Sequence, residues 1–183
     1  MVKYYNIFFE RIFGMKESIV FRVAEEDDAN AVADIYEFAK KGFKDSGIPQ
    51  WQDGKPDKES FLEDIQNGIA RVLVYNGEIA ATCQFVIYEP TYDSIVGGKW
   101  STDSYVAVHR VAVDGKYRRK GFAGMMLKEA ENYARSIGKE SVRIDTHEKN
   151  IKMRSMLAKN GYEKVGTIFL TDGSPRFSFE KLI

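Results

Sequence analysis

The chain has 183 residues, 44% hydrophobic and 30% charged, with 27 Lys and Arg balanced by 27 Asp and Glu. That length buries one sizeable core, and the composition excludes disordered and fibrous classes. Zero net charge removes the electrostatic footprint of a nucleic-acid binder, so an anionic partner is expected to be small and held locally.

Cys83 is the only cysteine, which excludes a disulfide framework and a cysteine-based metal site; it reads as a small core hydrophobe. The two histidines, His109 and His147, lack H-x-x-x-H spacing, so no metal is expected. No apolar run approaches the roughly 18 residues of a membrane span, and the N-terminal "MVKYYNIFFERIFGMKES" lacks a small-residue cleavage site, so a cytoplasmic protein is expected. Residues 1–17 read as an N-terminal extension and 18–183 as a single domain; a chain starting at Met15 is expected to fold.

"SIVFRVA" alternates like a strand, and Val32, Ile35, Tyr36, Ala39 and Phe43 recur at helical spacing behind an acidic first turn. "KDSGIPQWQDGKPD" is a Gly/Pro/Asp-rich loop carrying Trp51, followed by the short helix "KESFLEDIQNG". "ARVLVY" and "EIAATCQFVIYEP" flank Asn76-Gly77, a strong hairpin signal. After the loop "TYDSIVGGKWSTDS", "YVAVHRVAV" is a near-continuous apolar strand of the kind buried on both faces. Phe122, Met126, Ala130 and Ala134, with Leu127 and Ile137 beside them, then form one helical face ending at Gly138. "SVRIDT" is a strand, Asn150 is placed to cap the helix "IKMRSMLAKN", and "YEKVGTIFL" and "PRFSFEKL" form a closing hairpin. The expected class is α+β, a mixed sheet with antiparallel hairpins early and late and helical crossovers between.

The chemistry concentrates in "VAVDGKYRRKGFAGMML", where a strand turns into a helix. A helix N-terminus presents unpaired N–H groups and the positive end of its dipole. Gly121 and Gly124 allow close approach of backbone and ligand, and Arg118, Arg119 and Lys120 offer charge-assisted hydrogen bonds, so an anionic pyrophosphate fits. G-x-G-x-x-G and the Walker lysine are absent, which disfavours dinucleotide and P-loop readings.

In this context the stretch resembles the acetyl-CoA motif of the GNAT superfamily of N-acetyltransferases, an apolar strand followed by [RQ]-x-x-G-x-[GA], here Arg118, Gly121 and Ala123. "RIDTHEKNIKMRSMLAKNGYEKVG" resembles the next motif, with Asn150 after the strand and Gly161-Tyr162 at its end. The resemblance covers residues 18–183 and extends to bacterial members without an assigned substrate. It implies a GNAT-type acyl-CoA N-acyltransferase fold, a central mixed, mostly antiparallel sheet flanked by helices. It further implies acetyl-CoA as co-substrate, with Val111, Ala112 and Val113 beside the pantetheine arm, residues 118–124 (Phe122 among them) at the pyrophosphate, and Asn150 in the next motif. The implied reaction is direct attack of an amine on the thioester.

A neutral amine is required, so a base is needed. Alternation puts Tyr105, Ala107, His109, Val111 and Val113 on one face, making His109 a candidate base and equally a satisfied core histidine. Asp145 and His147 are second candidates, His147 also reading as an exposed loop residue. Many relatives carry a tyrosine acid seven residues after the motif Asn, where this chain has Leu157. Tyr162 is expected in the core, and a coenzyme A thiolate can leave without an acid.

Trp51, Gln52 and Trp100 are candidates for the acceptor side, each tryptophan alternatively a loop anchor, and Tyr92 invites the same two readings. The expected acceptor is a small-molecule or peptide amine, with no nucleic-acid or membrane partner. A non-catalytic acyl-CoA or CoA sensor is the alternative that Leu157 keeps open, and the final hairpin offers an edge strand for a homodimer.

Overall fold

The structure, a computed structural model, describes residues 17–183 and, before them, the backbone of one strand at Tyr5–Phe9. In chain order the elements are β1 (Tyr5–Phe9), β2 (Glu17–Val23), α1 (Ala29–Asp45), α2 (Lys58–Gln66), β3 (Ala70–Tyr75), β4 (Glu78–Val86), β5 (Tyr105–Val113), α3 (Phe122–Ser136), β6 (Ser141–Thr146), α4 (Ile151–Lys159), β7 (Glu163–Phe169) and β8 (Pro175–Leu182). The chain divides into two compact units. One runs through Gln84 and adds Arg110–Met126; the other comprises Phe85–His109 and Leu127–Ile183.

In the first unit β1, β2, β3 and β4 pair antiparallel in that order. The β3–β4 turn is tight because Asn76 and Gly77 both take left-handed φ, 51° and 86°, the geometry of a primed hairpin turn. Asn76 Oδ1 also accepts from the Ser18 N–H at 2.9 Å. Helix α1 follows a 3-10 turn at Glu26–Asp28, where Arg22 reaches both Asp28 carboxylate oxygens at 2.6 and 2.7 Å. Asp57 caps α2 by accepting from the Ser60 N–H. Val32, Ile35 and Tyr36 of α1, Phe61 of α2, Val72 of β3 and Ala112 of β5 share one core, each nearly or wholly removed from water.

In the second unit β5 pairs parallel with β6, and β8 lies antiparallel between β6 and β7. A parallel neighbour needs a long crossover, and α3 supplies it. Tyr92, Tyr105, Ala107 and Ile168 form one core cluster. A short bridge joins Val96 to Thr167, and there Gly98 lies so close to β7 that a Cβ would fall 1.7 Å from the Val165 carbonyl oxygen.

Two expectations change. Helix α3 ends at Ser136, so Ile137 lies beyond it and is exposed rather than on the apolar face. The strict alternation expected along β5 does not hold, because Arg110 takes φ 52° in mid-strand. A left-handed residue there breaks the two-residue period as a bulge does. The extension read at residues 1–17 lies mostly outside the described residues; of it, Tyr5–Phe9 pair with β2 and Glu17 opens β2.

Candidate active site

The turn from β5 into α3 is built by a chain of local contacts in the first unit. Asp114 Oδ1 accepts from the Lys116 N–H at 2.7 Å, and the Asp114 N–H donates to the Ala80 carbonyl at 2.9 Å. A 3-10 turn at Gly115–Tyr117 follows. Tyr117 donates to Glu78 Oε2 at 2.6 Å, which holds the Glu78 carboxyl below its usual range and pushes the phenol up to about 12. The Tyr75, Tyr117 and Phe122 rings pack together, with centroids 5.3 to 6.1 Å apart.

Arg119 and Gly121 then take left-handed φ of 65° and 83°, turning the chain into α3 at Phe122. A Cβ on Gly121 would meet nothing within 4 Å, so this glycine is required by its dihedral rather than by crowding. The first-turn N–H groups of Phe122, Ala123 and Gly124 have no intrahelical acceptor. Of the three cations, Arg118 lies over the Phe38 ring at 5.8 Å, and Lys120 sits 4.7 Å over Tyr75 while donating to its hydroxyl at 3.2 Å. All three side chains are exposed.

Arg110 directs Nη1 to Asp64 Oδ2 at 2.5 Å and to the Ser60 carbonyl at 3.2 Å. Asp64 is buried, which raises its carboxyl although Arg110 pulls it the other way. Neither residue stood out in the sequence, because nothing in their spacing links positions 46 residues apart.

In the second unit His109 lies between two carboxylates. Its Nε2 is 3.3 Å from Glu89 Oε2 and its Nδ1 is 3.6 Å from Asp145 Oδ1. The Glu89 Oε1 accepts from the Thr91 hydroxyl at 2.7 Å and N–H at 3.1 Å, and the Glu89 N–H donates to the Tyr105 hydroxyl. The neighbouring His109 is the largest influence bringing the Glu89 carboxyl down to about 2. Tyr92 donates to Asp145 Oδ1 at 2.9 Å, and its ring centroid lies 5.8 Å from that of His109. Burial first, then the Asp145 charge, raises the Tyr92 phenol well above its ordinary value. The structure therefore brings His109 and Asp145 together and adds Glu89, which the sequence reading missed. The only sequence signal was an acid at the head of the proline-led turn Pro90–Ser94, which Glu89 caps.

The other candidates are placed differently. His147 is buried rather than exposed, its Nδ1 accepts from the Lys149 N–H at 3.1 Å, and burial leads the lowering of its pKa. Asn150 caps α4, accepting from the Met153 N–H and donating to Thr146 Oγ1. Leu157 and Tyr162 are both core residues.

Trp51, in left-handed φ, meets Tyr36 and Phe43 edge-on with centroids 5.8 and 5.2 Å apart, the packing of a loop anchor. The exposed Gln52 donates to the Lys40 and Gln50 carbonyls. Trp100 donates to the Tyr92 carbonyl at 2.7 Å and carries the Arg143 guanidinium 4.1 Å above its ring. Tyr92 is wholly buried, an anchor rather than an exposed wall. Among the described residues no helix is long and apolar enough to cross a membrane.

A mixed, mostly antiparallel set of strands flanked by helices is the fold of acyl-CoA N-acyltransferases. The sequence profile of the acetyltransferase (GNAT) family matches residues 31–162, and the chain belongs to that family. It is 27% identical over 146 residues to YhfO, an uncharacterized N-acetyltransferase of Bacillus subtilis, covering 78% of this chain and 89% of that protein. A GNAT-family acetyltransferase from Streptococcus agalactiae 2603 superposes with a TM-score of 0.77 at 30% identity, over 90% of this chain and 95% of that one. The yncA protein of Salmonella typhimurium, solved with its cofactor acetyl-CoA, superposes at 0.65 with 17% identity, over 90% and 93% of the two chains.

Proposed function

We propose that this protein transfers the acetyl group of acetyl-CoA to a primary amine of a small molecule or peptide by direct attack. The observation that carries the reading is the turn at 118–124, where two left-handed residues lead into the unpaired first-turn N–H groups of α3 beside exposed cations. In this reading the pyrophosphate rests on those N–H groups, with Arg118 and Arg119 at its rim. Lys120, docked on Tyr75, stiffens the turn. The pantetheine arm follows β5 at Val111, Ala112 and Val113, and a β5 N–H meets the developing oxyanion. The acetyl-CoA seen with the Salmonella typhimurium protein supports the choice of co-substrate.

His109, two residues before Val111 in the same strand, takes the amine proton; Asp145 beside its Nδ1 steadies the charge. His147 and Asn150 hold the β6–α4 turn. The nitrogen bonds to the thioester carbon, the carbon–sulfur bond breaks, and the thiolate leaves with a proton originally on the amine. Leu157, fully buried where many relatives have a tyrosine, offers no acid, and that favours a CoA-binding sensor as the second reading.

Calorimetric titration with acetyl-CoA, for the native chain and Gly121→Asp, tests the proposal. Binding lost in the variant, followed by thiol release with some amine, upholds it. A folded native chain that binds no acetyl-CoA overturns it, and binding without turnover across an amine panel selects the sensor.

A further inference from the structure

Glu89 belongs to no motif, yet it is held from several sides. Its Oε1 is fixed by the hydroxyl and N–H of Thr91, its own N–H is given to Tyr105, and its Oε2 is left to face His109 Nε2 at 3.3 Å. Across the ring, Asp145 Oδ1 faces Nδ1 at 3.6 Å and is itself fixed by the Tyr92 hydroxyl at 2.9 Å. Two carboxylates, Glu89 and Asp145, thus face the imidazole, the Tyr92 ring lies 5.8 Å from it, and the Tyr105 hydroxyl sits behind Glu89.

A neutral imidazole has one N–H and one lone pair, so it satisfies only one of two facing carboxylates. Adding a proton turns the lone pair into a second donor, and each carboxylate then faces an N–H and a positive charge. The arrangement fits an imidazole that gains a proton, and its side chain remains 22% exposed, open to an incoming group.

We infer that Glu89 is a positioning residue of the acetyl transfer: it accepts the Nε2 proton of His109, so that Nδ1 faces Asp145 as the atom that takes the proton from the acceptor ammonium. One proton moves from the substrate nitrogen to Nδ1; no other bond changes in this step, and the resulting imidazolium is bracketed by Glu89 and Asp145. This inference rests on the acetyltransferase reading, and it names the residue that makes His109 a better base than its position in β5 alone would.

The decisive variant is Glu89→Gln, which keeps an acceptor for Thr91 while it removes the charge and the acceptor that face His109 Nε2. Imidazole resonances followed through a pH titration report His109 directly, with His109→Gln assigning it against His147. A midpoint for His109 lower by about one to two pH units in Glu89→Gln, and lower also in Asp145→Asn, is expected. With acetyl-CoA and any accepted amine, the acid limb of kcat/KM moves to lower pH by the same amount, kcat falls roughly tenfold, and KM for acetyl-CoA is unchanged.

An unmoved His109 midpoint in a folded Glu89→Gln protein overturns the inference. So does a Glu89→Gln defect confined to KM for acetyl-CoA. If Glu89→Gln unfolds, Thr91→Val, which loosens the same carboxylate, carries the titration and is held to the same two results. If the midpoint shifts and no amine is ever acetylated, the bracketing of His109 stands as structure, while the transfer role and the function on which it rests both fall.

Discussion

Arg110 holds a left-handed φ of 52° in the middle of β5 while its guanidinium lies 2.5 Å from the buried carboxylate of Asp64 in α2. A non-glycine residue in that region costs about 1–2 kcal/mol, and the ion pair with Asp64 and the bond to the Ser60 carbonyl hold it there. The break falls between His109 and Val111, the proposed base and the first proposed cofactor contact.

Removing Asp64 strips the charged partner from Arg110 and leaves it only the Ser60 carbonyl. Asp64→Ala is expected to lower stability by about 3 kcal/mol, read by urea unfolding at pH 7. Because burial raises the Asp64 carboxyl, its contribution is present below the ordinary carboxylate range and is lost as pH rises through the raised value. The native chain should therefore approach the variant in stability as pH climbs out of the acid range.

Glu89 runs the other way. Its carboxyl sits at about 2 in the folded chain against 4.5 unperturbed, so the folded state binds fewer protons between those values. The stability it contributes is complete above about pH 4.5 and is lost as pH falls through 2. Unfolding free energies at pH 6 and pH 3 should fall by about 2 kcal/mol more in the native chain than in Glu89→Gln.

Gly121→Ala separates strain from ligand binding. Its Cβ meets open space, so only the left-handed φ of 83° resists it, at about 1 kcal/mol. The variant should fold with a slightly lower Tm and bind acetyl-CoA only weakly less well. Gly121→Asp should fold comparably and lose binding at least tenfold through its charge. Differential scanning fluorimetry with and without acetyl-CoA reads both effects.

Gly98 is the opposite case. A Cβ there would lie 1.7 Å from the Val165 carbonyl oxygen, a backbone atom that cannot turn aside. Gly98→Ala should break the Val96–Thr167 bridge and cost more than about 3 kcal/mol, visible as early hydrogen exchange at the Val96 and Thr167 amides, which pair with each other's carbonyls.

The elements were legible because their signals are local. Helical spacing in Val32, Ile35 and Tyr36, the Asn76-Gly77 turn, and the caps at Asn150 and Gly161 each act within a few residues. The strand-to-helix turn at 118–124 was legible for the same reason, since its glycine and cations are neighbours in the chain. Trp51 and Trp100 were ambiguous, because an aromatic in a Gly/Pro loop reads alike whether it faces solvent or packs on Tyr36 or Tyr92.

What the chain order by itself determined is the class of fold, the place of the strand-to-helix turn and His109 as a candidate base, all properties of contiguous residues. Only tertiary structure decided that Glu89 and Asp145 bracket that histidine, that Asp64 holds the break at Arg110, and that His147 is buried. Those pairings join positions 20, 36 and 46 residues apart or depend on packing. Charge and hydrogen bonding act through space, over 3 to 4 Å, and the sequence records only which groups are available to meet.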